Sequence, residues 1–242
     1  MRKIHSLFAG TLLCLLALGS GCASSQKESS GYKTLFNGKD LSGWDGDPRF
    51  WSVKDGVIVG QTTAETPAQH NTFLFWKNGK VSDFELHASF KITNHNSGIQ
   101  YRSADEGDHI ASGYQADIDG ANKYTGILYE ERKRGILATR GQKVVIDESG
   151  KKQITGSVGD PETIVKAIKP NDWNNYVIVA QGNHLVQKIN GVTTVDVTDN
   201  ETGKSAREGF LALQIHAGPP MKVEFKNIQL RELKSESKPT AP

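Results

Sequence analysis

The chain has 242 residues, enough for one sizeable domain, and is 36% hydrophobic and 23% charged. Its 29 basic residues against 27 acidic ones leave a formal charge of +2, which argues against nucleic acid or another polyanion as a partner. The 25 glycines and the lack of long helical apolar periodicity point to an all-β fold.

The first residues read as a targeting segment. Arg2 and Lys3 precede an apolar run from Leu7 to Leu18, and small residues lead into Cys22. This resembles a bacterial lipoprotein signal, with residues 1–21 removed and Cys22 acylated, although Gly19 stands where such signals usually carry Leu. The expected location is therefore the periplasm or cell envelope, with a lipid anchor in the membrane; ordinary secretion is the alternative. The apolar run is too short for a spanning helix. The other cysteine, Cys14, falls inside the signal, so the mature domain has neither a disulfide nor a thiol nucleophile. Residues 22–31 form a Ser-rich tether, 32–233 the domain, and 234–242 a polar tail expected to be disordered.

Within the domain, strand signals follow one another at short intervals. Phe50 to Val59 reads as a hairpin turning at Lys54-Asp55-Gly56. Thr72 to Trp76 is a short strand that should turn at Asn78-Gly79. From Asp83 to Thr93 the alternation is clean: Phe84, Leu86, Ala88, Phe90 and Ile92 point inward, with Glu85, His87, Ser89 and Lys91 outward. Val144–Ile146 is a candidate strand, Glu162–Ile168 a helical turn or short strand, and Tyr176–Ala180 a buried strand. Asn190-Gly191 marks a hairpin, and the phase change near Lys226-Asn227 predicts a bulge. About a dozen short strands indicate a sandwich or barrel.

The functional signal gathers between Asn94 and Gly135. Strand parity puts Ile99 and Tyr101 on one face and Gln100 and Arg102 on the other. It likewise separates Tyr114, Ala116 and Ile118 from Gln115 and Asp117. Later in the chain, Gln214 and His216 oppose Leu213 and Ile215. Amides, a guanidinium, a carboxylate and an imidazole on one sheet face suit the fixed donors and acceptors that sugar hydroxyls require. No nucleophile elbow, phosphate loop or zinc-protease motif is present. No cofactor is expected, while Asp117, Asp119, Glu131 and the histidines leave a divalent metal open. The basic run Arg132–Arg134, flanked by Glu130 and Glu131, reads as a solvated patch or an internal ion-pair cluster.

Several motifs in fixed order carry a resemblance: L-F-N-G-K-D-L-S-G-W, N-S-G-I-Q-Y-R-S, G-Y-Q-A-D-I-D, T-G-I-L-Y-E-E, W-N-N-Y, I-N-G-V and F-L-A-L-Q-I-H-A-G-P-P. Together they resemble the 3-keto-disaccharide hydrolase domain family over about residues 32 to 233. The resemblance implies a concanavalin A-like jelly-roll β-sandwich and a small carbohydrate, a glycoside oxidised at C3, as the partner. A C3 ketone acidifies the C2 proton, so a modest base can form an enolate that expels the C1 substituent by elimination and hydration, or the bond is hydrolysed. Mapped here, it implies His216 or Asp117 as base, with Glu131 an alternative acid or base. Arg102 and Gln100 would stabilise the enolate oxygen, while Gln115, Gln214, Asp119 and Tyr129 would bind sugar. Some branches carry Glu at the position of Gln115. A non-catalytic, lectin-like carbohydrate-binding lipoprotein is the other reading, because this fold hosts both.

Overall fold

The computed structural model describes residues 31–234. The signal segment, Cys22, nearly all of the tether and the tail from 235 lie outside the described residues. Two sheets form a jelly-roll β-sandwich. In the first, the neighbours run β12 (Lys152–Ser157), β11 (Gln142–Ile146), β15 (Val192–Asp199), β14 (His184–Ile189), β13 (Asn174–Gln181), β6 (Phe84–Asn94), β17 (Lys222–Glu232), β4 (Val57–Gln61) and β3 (Trp51–Lys54). The short β1 (Lys33–Thr34) also pairs with β17. In the second, they run β10 (Gly135–Ala138), β9 (Leu128–Glu131), β8 (Ala111–Asp119), β7 (Asn96–Asp105), β16 (Gly209–Ile215), β5 (Thr72–Val81) and β2 (Trp44–Asp45). All pairings are antiparallel except β11 with β15. One short helix, α1 (Pro161–Lys166), starts at Asp160, whose side chain accepts from the Thr163 amide.

The inward residues of Phe84–Ile92 are buried as their alternation requires. Phe84 meets Tyr101 of the opposite sheet edge to face, with centroids 6.1 Å apart, and Tyr101 leans on Tyr114 at 5.6 Å. The Asn190-Gly191 hairpin joins β14 to β15, and β17 shifts register between Lys226 and Gln229. Two expectations need correction. Asn78-Gly79 is no hairpin turn: β5 continues to Val81 and absorbs the extra residues as a bulge against β16. The sandwich also holds seventeen strands among the described residues instead of a dozen, because strands such as β12 are exposed along their length and carry no apolar alternation.

The two sheets join where the site lies. β6 belongs to the larger sheet and β7 to the smaller, with only His95 between them, in the left-handed region at φ 64°. That crossover puts the start of β7 beside the end of β8, and close to the end of β16 and the start of β5.

Candidate functional site

A cleft of about 420 Å³ opens on the outer face of the smaller sheet, at this end. Its floor is β8. Gln115, Asp117 and Asp119 alternate outward from it, while Tyr114, Ala116 and Ile118 enter the core. Every residue of β8 is buried, because the core covers one face and the cleft's side chains crowd the other. Gly98 of β7 pairs with Asp117, and a side chain there would collide with Gln115 at about 2.5 Å. The glycine thus lets the Gln115 amide lie across β7.

Asp117 is the centre of the arrangement. Its Oδ2 accepts from Asn96 Nδ2 at 2.9 Å and its Oδ1 from Gln115 Nε2 at 2.7 Å. Burial raises its pKa, and the nearby Asp119 and Glu131 add to that; the two amide bonds oppose it without prevailing, and the carboxyl is pushed up to about 7. Among the described residues, no Lys or Arg lines the cleft. Glu131 lies on the same outer face, accepting from Asn71 Nδ2 at 3.2 Å and Gln214 Nε2 at 3.3 Å. The Gln214 Oε1 is buried without a protein partner, an acceptor open to a ligand hydroxyl.

At the rim, His216 and His95 meet edge to face with centroids 4.8 Å apart, and both address the Ala217 carbonyl. His216 reaches it through Nδ1 at 2.6 Å and His95 through Nε2 at 3.0 Å. A carbonyl only accepts, so each of those nitrogens carries a proton; His216 therefore presents Nε2 elsewhere, and His95 its Nδ1. Asn71 ties this rim to the carboxylates, since its Oδ1 accepts from the Ala217 amide at 3.0 Å.

The cleft thus assembles Asp117, Glu131, Gln115, Gln214, His216, Asp119 and Tyr129. Asp119 differs from the expected sugar ligand: its oxygens accept from the backbone amides of Ala121, Lys123 and Tyr124, organising the loop that follows β8. Gln100 stays outside the cleft. It is fully buried beneath Gln115, in contact with that side chain at 2.8 Å and with Ser103 at 2.5 Å.

Arg102 is the larger correction. The pairing of β7 with β8 slips between Tyr101 and Ala104, and Arg102 sits in the left-handed region at φ 46°. The bulge breaks strand parity and carries the guanidinium away from the outer face. It is fixed instead by the carbonyls of Ser82 at 2.7 Å and Gly182 at 2.6 Å and by Asp83 at 2.9 Å. Arg102 binds loops of the sandwich together and cannot stabilise an oxyanion in the cleft.

Besides Ile127 and Ile136, four lining residues escaped the sequence reading. Asn96 was accessible, because parity carried back from Gln100 puts it on the same face. His95 and Tyr124 sit in connections, where no periodicity applies. Asn71 enters only because β5 is two strands from β7, a fact of topology. Among the described residues, no three His, Cys, Asp or Glu side chains converge as a set of metal ligands.

Solved structures share the fold. A provisionally named glycosyl hydrolase from Parabacteroides distasonis ATCC 8503 superposes with a TM-score of 0.55 at 22% identity, over 84% of this chain and 99% of that one. The carbohydrate binding module CBM66 from Bacillus subtilis gives 0.52 at 14% identity, over 78% and 96%. A Bacillus subtilis protein of unknown function with a galectin-like fold gives 0.54 at 9%, over 85% and 96%. No curated protein matches the chain in sequence. The model of the 3-keto-alpha-glucoside-1,2-lyase-like domain matches residues 31–231, nearly all of the described chain. This protein belongs to that family, and a carbohydrate-related function follows from the membership.

Proposed function

We propose that this chain is an enzyme that cleaves 3-keto-glycosides, with Asp117 as the base that takes the C2 proton. The observation that supports it is a buried carboxylate inside a cleft, held by two neutral amides, faced by no cation among the described residues, and raised to about 7. Such a group is half ionised near neutrality and is a stronger base than an ordinary aspartate.

Removal of the C2 proton leaves its electron pair in an enolate spanning C2 and C3. Reformation of the C3 ketone moves that pair into a C1–C2 double bond and expels the C1 oxygen, which takes up a proton. Water added across the double bond completes a net hydrolysis. With Arg102 withdrawn from the cleft, the rim imidazoles are the groups left for the enolate oxygen, and each could donate to it only as an imidazolium, because its other N–H is spent on Ala217. A protonated His216 offers Nε2–H, since Nδ1 is held by Ala217. Glu131, joined to Asn71 and Gln214, would serve the leaving oxygen or the water. Gln214 Oε1 and Gln115 would orient hydroxyls.

The test incubates purified protein with a 3-keto-glucoside and follows aglycone release. Turnover that falls sharply in Asp117→Asn and His216→Ala is the expected result. No turnover alongside measurable sugar binding would leave a carbohydrate-binding protein instead. Acylation at Cys22 and placement in the cell envelope belong to the same proposal. Fatty-acid labelling that persists in Cys22→Ser would overturn the anchor.

A further inference from the structure

Asp117 sits at a chemical boundary within the cleft. On one flank, towards β16 and β5, stand Asn71, Gln214 and His216. On the other, β9, β10 and the loop after β8 contribute Tyr124, Ile127, Tyr129 and Ile136. Glu131 is the one carboxylate from β9, and it reaches over to Asn71 and Gln214.

The second flank is unusually bare. Three large hydrophobic residues stand exposed among the described residues: Tyr124 at 38%, Ile136 at 41% and Ile154. Two of the three line this single cleft. Scattered exposed apolar residues need no explanation, but a pair converging on a polar site does. Ile136 pairs directly with Tyr129 across β9 and β10, so their side chains share one face. Tyr124 is held in place from two sides. Asp119 accepts from the Lys123 amide at 2.8 Å and the Tyr124 amide at 3.1 Å, while Arg140 donates to the Lys123 and Thr125 carbonyls at 3.0 and 2.8 Å. Lys123 Nζ rests 4.9 Å from the Tyr124 ring centroid. A loop tip fixed this firmly, yet left open to water, presents a preformed surface.

We propose that Tyr124, Tyr129 and Ile136 form the subsite for the leaving group and select glycosides with an aromatic aglycone. The inference rests on reading the cleft as a sugar site. The polar flank satisfies hydroxyls and the ketone, and the scissile C1–O bond then lies over Asp117. In that pose the group beyond the oxygen falls on the apolar flank. A flat ring covers all three side chains and removes their apolar surface from water; a methyl group covers almost none of it.

The experiment separates this from catalysis by using ligands that are not turned over. The full chain is titrated calorimetrically with unoxidised phenyl and methyl glucosides of one anomeric configuration, and with a glucosyl disaccharide. Cleavage of the 3-keto forms is measured in parallel. Phenyl glucoside should bind roughly tenfold more tightly than methyl glucoside. Tyr124→Ser and Ile136→Ser should each shrink that ratio, and Tyr124→Phe should preserve it. Both positions are exposed, so unfolding temperatures should stay close to that of the parent chain. A phenyl-to-methyl ratio near one, a disaccharide bound as tightly as the phenyl compound, or a ratio indifferent to both serine substitutions would overturn the aromatic subsite. A clear ratio with no cleavage would support the subsite and overturn the catalytic reading.

Discussion

Glu130 and Glu131 are adjacent on β9 and face opposite worlds. Glu130 turns inward to Arg134, whose guanidinium also bonds Asp199 at 2.7 Å and Glu201 at 2.8 Å. Glu131 turns outward, to amides and the neighbourhood of Asp117, without a cation. Both clusters bury carboxylates, and their proton affinities diverge. Burial pushes Asp199 up, but hydrogen bonds from Arg134 and Tyr114 more than offset it, and its carboxyl stays below its ordinary value. Asp117 receives two amide bonds, and burial still wins. At Asp117 two side-chain amides orient the carboxylate without keeping it acidic, whereas at Asp199 the Arg134 cation, helped by Tyr114, does. The inner cluster reads as a rivet between the sheets, the outer one as a reagent.

Asp117→Asn tests that contrast hardest. If Asp117 is the base, turnover of a 3-keto-glucoside should fall by roughly 10²–10⁴-fold. The fold should not suffer, because Asn96 can turn its amide to match the new one. The stability effect has a definite sign. Asp117 loses its proton at about 7 in the folded chain and near 3.8 when unfolded, so the folded chain holds an extra proton between those values. Its contribution is favourable relative to the ionised state below about pH 4, declines across the window, and is lost above about pH 7. At pH 8 the asparagine variant should therefore unfold at a higher temperature than the parent, with the difference vanishing near pH 4. A variant destabilised at pH 8 would place Asp117 in the same class as Asp199.

Arg134→Met addresses the inner cluster. It leaves Glu130, Asp199 and Glu201 without their shared cation, with Lys204 at 2.7 Å from Glu201 as the remaining cation among the described residues. Removing one member of a buried ion-pair network costs about 3–5 kcal/mol, read as a fall in the midpoint of denaturant unfolding. A loss under about 1 kcal/mol, the scale of a surface pair, would erase the distinction between the two clusters.

Strand parity made much of this cleft readable before any coordinates. Gln115, Asp117 and Gln214 lie on regular strands whose other face is plainly apolar, so alternation alone put them outside the core. It failed at Arg102 because parity holds only while the ladder is regular, and nothing in Y-R-S-A announces a bulge. It failed at Asn78-Gly79 for the converse reason: a strong turn signal was absorbed within a long strand. The inward turn of Glu130 and outward turn of Glu131 follow from parity, but not the cation that separates their chemistry. Arg134 reaches Asp199 across 65 positions of sequence, and only the packing of the two sheets brings them together. Asn71 is hidden in the same way. Local chemistry is written along a strand; the partners that tune it are set by strand order.

The smallest effect expected is also the most discriminating. Glu131 contributes to the raised pKa of Asp117 as one of its weaker causes, behind burial, the amide bonds and Asp119. If Asp117 must be ionised to accept the C2 proton, kcat/KM should rise with pH along a limb centred near 7. Glu131→Gln removes a like charge while keeping the side chain's shape, so ionisation of Asp117 becomes easier and the limb should move to lower pH by a fraction of a pH unit. The direction matters more than the size. Were Glu131 itself the base, the same substitution would abolish the limb along with activity. Were both carboxylates only orienting groups, the profile would keep its midpoint and lose height. A limb that moves down, measured on the reduced turnover that remains, would assign the proton to Asp117, and would show that a neighbour one strand away adjusts a base it does not touch.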